Sequence, residues 1–229
     1  MVAVVGLDLG GSGTTVLTPL IGEQWQLRLL PQIALRSVSP QEVEGHLLTL
    51  LALYQPRAML AEWNGPGSVF LQYVIERHPS LPIVGVDTSL AAIPLTLWNG
   101  LQMHPLQFLN IRAQMYWLIR LLYRDQQITA VQEDAELFAQ LSTIRWEFDR
   151  QYKDRIQIKP KREMRAFYTS SLGEVSIARS PDKADSLCLA GLAYALCQNE
   201  ASTVAAPIDE IVQPEIDGYF PLGKAGIPS

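Results

Sequence analysis

Only 2 cysteines occur in the 229 residues, Cys188 and Cys197, and both fall in one apolar stretch. Their spacing matches neither a zinc knuckle nor a redox pair, so no disulfide framework or thiolate metal site organises the chain, and a reducing, cytosolic setting is expected. No run of 18 apolar residues is present, and the N-terminal MVAVVGLDLGG has no basic flank ahead of its apolar stretch. Neither a membrane span nor a secretory signal is therefore expected. No G-x-x-x-x-G-K-[ST] segment is found, and the glycines between Gly10 and Thr15 lack the lysine a phosphate loop needs. Positive charge is also scarce: 18 Lys+Arg face 23 Asp+Glu, a net charge of −5. Taken whole, that balance argues against a nucleic-acid-binding domain, which usually carries net positive charge.

What is present suffices for one core, since a chain of this length buries roughly 70% of its unfolded surface. Val2 to Asp8 is a short apolar run closed by Gly10, Gly11 and Gly13, and it reads as a buried strand. Thr14 to Leu20 and Gln24 to Leu30 follow as two further β-rich runs separated by Gly22, suggesting an antiparallel meander. The period then changes. Ser39-Pro40-Gln41-Glu42 supplies an N-cap, a proline at the first helical position and a capping-box glutamate, predicting a helix to about Tyr54. Arg57 to Glu62 reads as a strand, Val69 to Arg77 as a helix after the turn Asn64-Gly65-Pro66-Gly67, and Pro82 to Val86 as another strand. Ile111, Met115, Leu118, Ile119 and Leu122 share one helical face, so Asn110 to Asp125 is an amphipathic helix. A last helix starts near Pro181, and from Ala184 to Cys197 it is apolar nearly all round, which places it inside the protein. The expected fold is α/β, a mixed sheet of three antiparallel strands followed by parallel strands, with helices on both faces: the ribonuclease-H-like arrangement. Residues 1–199 form this domain, and residues 200–229 read as an acidic, proline-containing tail.

Charge is unevenly spread. Arg145, Arg150, Lys153, Arg155, Lys159, Lys161, Arg162 and Arg165 exceed the acids among them by four, leaving −9 on the rest of the chain. Carboxylates, for their part, stand at element ends: Asp8 after the first strand, Glu62 after the fourth, and Asp182 and Asp185 in the first turn of the buried helix. Strand ends and helix starts meet at one edge of such a sheet, where ligands bind. Clustered carboxylates repel and either take up protons or need a cation. Hard divalent ions choose oxygen ligands, and two of them roughly 3.5 to 4 Å apart can activate water against a phosphodiester. Singly, each acid has an ordinary explanation: a turn residue for Asp8, a solvated strand end for Glu62, the favourable positive end of a helix for Asp182 and Asp185.

GLDLGGSGTT (Gly6 to Thr15), LAEWNGPG (Leu60 to Gly67), FLNIRAQMYWLIRLL (Phe108 to Leu122), IQIKPKREM (Ile156 to Met164) and SPDKADSLCLA (Ser180 to Ala190) resemble, in order, the nuclease domain of the large terminase subunit of tailed bacteriophages. The resemblance covers the chain to about Leu196. It implies that Asp8, Glu62 and Asp182 hold two divalent ions, Mg2+ or Mn2+, with Asp185 the next candidate one turn along. It also implies catalytic support from Lys161, whose alternative is a solvated lysine in a basic run. The implied activity is metal-dependent cleavage of double-stranded DNA during viral DNA packaging in the cytoplasm of a bacterial host, with the basic residues from Arg145 to Arg165 meeting DNA. The implied partners are a separate ATPase motor and a portal protein or small terminase subunit. Asn110 and Arg112 match the N-x-R-A stretch and read as an N-cap and a surface arginine. Ser180 stands where many members have histidine, and Thr14-Thr15 replaces a more polar continuation.

Other readings compete. LDLGGSGTT also suits the actin, hexokinase and Hsp70-like ATPases, but their second D-x-G-G-x-T turn is not found after Gly67. A Holliday-junction resolvase fits the strand order but not the E-x-N-x-x-G or N-x-R-A segments. An inactive DNA-binding or assembly module derived from a terminase would not need acids at all three positions.

Overall fold

The computed structural model describes residues 1–10, 14–36, 38–64, 67–160 and 181–202. Alternation along β1 (Val2–Asp8) divides its side chains between two cores. Val5 and Leu7 face one, Val4 the other, and Gly6 and Asp8 share the side of Val4. β1 pairs antiparallel with β2 (Thr14–Glu23), which pairs antiparallel with β3 (Gln26–Leu29) and with β4 (Ile33–Arg36). On its other side β1 pairs parallel with β5 (Ala58–Glu62), and β5 pairs parallel with β6 (Ile83–Val86). The order β6-β5-β1-β2-β3 is the expected mixed sheet, completed by the short parallel strand β9 (Ile128–Ala130) beside β3.

The meander turns at a different place from the one suggested by Gly22. Gln24 and Trp25 both take positive φ, 46° and 69°, the pair of conformations that a tight two-residue hairpin turn needs. Neither is the usual glycine or asparagine. Burial of the Trp25 indole edge-on to Trp98 and Tyr194 offsets the backbone cost.

Helix α1 (Pro40–Tyr54) begins as its sequence directs: Ser39 caps the Glu42 amide while the Glu42 carboxylate accepts from the Ser39 N–H at 2.7 Å. With α2 (Gly67–Arg77) it covers one face, burying Val43, Leu47, Leu50, Leu71 and Val74 against Val5, Leu7 and Met59. The opposite face carries α3 (Ile111–Arg124), α4 (Ala135–Thr143) and α5 (Asp182–Ser202). Every residue from Ala184 to Cys197 is buried, as an all-round apolar helix requires, and both cysteines are free thiols inside it. Short strands β7 (Leu95–Thr96) and β8 (Gln102–Met103) form a small ribbon, and β10 (Trp146–Phe148) and β11 (Ile156–Ile158) a second. No helix among the described residues is long and apolar enough to cross a membrane.

α5 lies on β1 with backbone nearly touching backbone. A Cβ at Gly6 would stand 2.0 Å from the Ser186 carbonyl oxygen and 2.4 Å from the Ala190 nitrogen. The polar atoms at this crossing are matched: Ser186 Oγ donates toward the carbonyls of Gly6 (2.9 Å) and Val16 (3.0 Å) and lies 2.7 Å from Thr18 Oγ1. Gln32 Nε2 in turn donates to Thr18 Oγ1 at 2.6 Å and to the Lys183 carbonyl at 2.9 Å. Because the colliding atoms are backbone, no rotamer change relieves them. Gly6→Ala is expected to cost at least about 3 kcal/mol, the upper end for overpacking, measured as a lowered urea midpoint.

Candidate catalytic carboxylate site

The direction of α5 brings the acids into register. Ser186 sits over Gly6, while the Tyr194 ring sits over Gly22, the partner of Val2, so the helix runs antiparallel to β1. From Ser186 to Asp182 the helix advances about 6 Å. From Gly6 to Asp8 the strand advances about 6.6 Å. Asp182, the first residue of α5, therefore comes level with Asp8, the last residue of β1. Glu62 ends the adjacent parallel strand one position beyond the Leu7 and Ala61 pair, alongside Asp8 and on the same sheet face. Asp8 is 7% exposed, and Glu62 and Asp182 are half-buried.

The side chains at these stations are held differently. Glu62 Oε1 accepts from Thr88 Oγ1 at 2.7 Å. Asp185 is 2% exposed, and its Oδ1 accepts from the Tyr116 hydroxyl at 2.5 Å and lies 3.3 Å from Arg112 Nη2. Arg112 is no surface arginine: its side chain is 19% exposed and stacks over the Tyr116 ring. Burial works against its charge, but Asp185 foremost, with Tyr116 and Glu62, more than compensates and holds it firmly protonated. Burial and then the Asp185 charge push the Tyr116 hydroxyl and the Cys188 thiol well above their ordinary ranges, so both stay protonated and Cys188 is no nucleophile. Asn110 caps α3 as expected, accepting from the Ala113 N–H at 3.0 Å.

Among the described residues no three Asp, Glu, His or Cys side chains are gathered closely enough to hold a metal ion. The backbone brings Asp8, Glu62 and Asp182 to one edge. Their donors are all hard carboxylate oxygens, the chemistry that suits Mg2+ or Mn2+. Asp185 is matched to a fixed cation instead.

Of the basic residues, Lys161, Arg162 and Arg165 lie outside the described residues. Arg145, Arg150, Lys153, Arg155 and Lys159 fall on or beside the β10–β11 hairpin. Arg145, Arg150 and Lys153 are exposed, Arg155 packs over the Tyr152 ring, and Lys159 pairs with Glu147 at 3.1 Å. The hairpin rests on α3 through Trp146 against Trp117 and Arg120 over both rings. The Leu109 N–H donates to the Ile156 carbonyl at 2.9 Å, which sets β11 beside the residues leading into Asn110 and Arg112. The basic hairpin thus adjoins the carboxylate edge.

Removing one partner of a buried ion pair strands the other charge. Arg112→Met is expected to cost about 3–5 kcal/mol in a urea titration. Arg112→Met combined with Asp185→Leu should recover most of it, because no uncompensated charge remains.

Compared by sequence, the chain matches no protein-family model and no curated protein. Solved structures do match. The nuclease domain of the large terminase subunit gp2 of bacterial virus Sf6 superposes with a TM-score of 0.62 at 16% identity, over 83% of this chain and 88% of that one. A point variant of the same domain with manganese gives 0.61 at 15% identity over the same shares. The large terminase nuclease from thermophilic phage G20c with bound magnesium gives 0.54 at 14% identity, over 83% of this chain and 80% of that one. The chain therefore has the ribonuclease-H-like fold of the nuclease domains of phage large terminase subunits.

Proposed function

We propose that this chain is a divalent-metal-dependent endonuclease acting on double-stranded DNA, the cutting domain of a phage packaging apparatus. The reading is supported by Asp8 and Glu62 ending adjacent parallel strands, by Asp182 opening the helix that crosses β1, and by a fold that solved phage nucleases share. Mg2+ or Mn2+ is the cofactor proposed, in keeping with the ions bound in the Sf6 and G20c structures. Two such ions, when bound, supply an activated water and charge stabilisation for in-line attack on a phosphodiester.

The chain's own residues divide the remaining work. Asp8, Glu62 and Asp182 would hold the cations, with Asp8 as the central ligand. Arg112 neutralises Asp185 beneath the site, limiting the negative charge that a DNA backbone would meet. Lys161 is retained as the candidate for steadying a phosphate, and the basic hairpin as the surface that positions the duplex through its backbone.

Incubation of the purified chain with supercoiled plasmid tests the activity. Nicked and linear forms are expected with Mn2+ or Mg2+, none with chelator, and at least a hundredfold slower cleavage by Asp8→Ala. Intact plasmid with every metal, accompanied by tight ATP binding, would instead assign the chain to the actin-like ATPases. Duplex binding that ignores both chelator and Asp8→Ala, without cleavage, would indicate a binding module.

The hairpin makes a second expectation. In an Asp8→Ala background, Arg150→Glu with Lys153→Glu should weaken binding to a labelled duplex for all sequences alike. It should also flatten the dependence of log K on log salt, by about one unit for each phosphate no longer neutralised.

A further inference from the structure

Glu62 ends its strand on a long, rotatable side chain, so the backbone alone does not determine where its carboxylate points. Thr88 does: it is 4% exposed, and its Oγ1 donates to Glu62 Oε1 at 2.7 Å. The turn that carries Thr88, which follows β6, is itself tied on three sides. Toward β5, the Trp63 N–H donates to the Val86 carbonyl at 2.8 Å, and Asn64 Nδ2 donates to Asp87 Oδ1 at 2.6 Å. Within the turn, Asp87 Oδ1 also accepts from the Ser89 N–H (2.8 Å) and Ser89 Oγ (2.5 Å). Toward α3, the Thr88 carbonyl accepts from the Arg112 N–H and the Leu90 carbonyl from the Ile111 N–H, both at 2.9 Å.

We propose that the turn Asp87-Thr88-Ser89 is a brace that orients the Glu62 carboxylate toward the cation site, with Thr88 as the positioning residue. This rests on the reading of Glu62 as a metal ligand. The chemistry distinguishes Glu62 from its buried neighbour. Asp185 is held by a guanidinium, which neutralises it, whereas Glu62 is held by a neutral hydroxyl, which orients it and leaves its negative charge available to a cation. Asp87 is engaged within the turn instead: burial opposes its charge, but the donors from Ser89 and Asn64 together outweigh it and lower its pKa. Outer partners of this kind typically change metal affinity 10–100-fold when removed.

Calorimetric titration of the full chain with Mn2+, in the absence of nucleic acid, tests the brace without relying on cleavage. Thr88→Val keeps the shape and removes the donor, and is expected to weaken Mn2+ binding about 10–100-fold. Thr88→Ser should stay within about threefold of the parent, and Glu62→Gln with Thr88→Val should bind no more weakly than Glu62→Gln alone. Parent-like affinity in Thr88→Val, while Glu62→Gln weakens binding, overturns the brace and leaves the metal reading standing. Additive losses in the double variant overturn it too, since Thr88 would then act through the fold and not through Glu62. Absence of Mn2+ binding by the parent chain overturns both. Should Thr88→Val fail to fold, the exposed Asn64→Ala, which unties the turn from β5, takes its place, and unchanged Mn2+ affinity there overturns the brace.

Discussion

The close approach of Gly6 to the backbone of α5 at Ser186 and Ala190 is the constraint on which the rest of the molecule depends. A helix apolar on every side has to be enclosed, and enclosing it against a sheet with backbone on backbone is possible only where the strand lacks a side chain. Burial leaves the polar groups at the crossing in need of partners within the protein. Ser186 is matched by two strand carbonyls, and the Ala184 N–H by Gln140 Oε1 at 3.0 Å. At the far end Asn199 exchanges hydrogen bonds with the backbone of Thr96. With both ends pinned the helix cannot slide, and a helix that cannot slide fixes Asp182 level with Asp8. A packing requirement, not an attraction between the acids, sets where they meet.

Like charges brought together this way must be managed, and the structure does so unequally. The innermost acid, Asp185, receives a buried arginine and a tyrosine hydroxyl. An ion pair at this depth costs desolvation on both sides, and such pairs seldom add stability over apolar residues of the same size. Its retention here is better understood as specification. The guanidinium sets beside Asp185 a cation that cannot dissociate.

Much of this was legible in the residues. β1, α1 and α3 stand where period and capping place them, because their signals are local: the Ser39 and Glu42 box, the Asn110 cap, the face shared by Ile111, Met115 and Leu118. The all-round apolarity of Ala184 to Cys197 foretold burial, since periodicity reports how many faces are covered. The hairpin turn at Gln24 and Trp25 was not legible, because its strained backbone is supported by distant rings and not by turn residues. Strands of three or four residues, β4, β9, β10 and β11, fall below the length at which alternation can be read. In the site, strand-end acids were visible as acids at element ends, Arg112 was visible but read as a surface arginine, and Thr88 and Tyr116 were not visible. Their roles arise from partners far along the chain, 69 residues in the case of Tyr116 and Asp185, and nothing in the neighbouring sequence announces them.

On the proposed reading, the net charge of −5 describes neither face that DNA would meet. An acidic edge repels a phosphate backbone until cations occupy it, while a hairpin carrying exposed Arg145, Arg150 and Lys153 attracts the same backbone at all times. The hairpin is joined to the sequence just ahead of Arg112 through Ile156 and packs on α3 through Trp146. On the proposed reading, this makes cation occupancy decisive for approach as well as for chemistry. Without cations, the duplex can rest on the hairpin while its scissile phosphate is held off by carboxylates. With them, the repulsion is removed at the point where cutting is to occur, and engagement and cleavage become possible together.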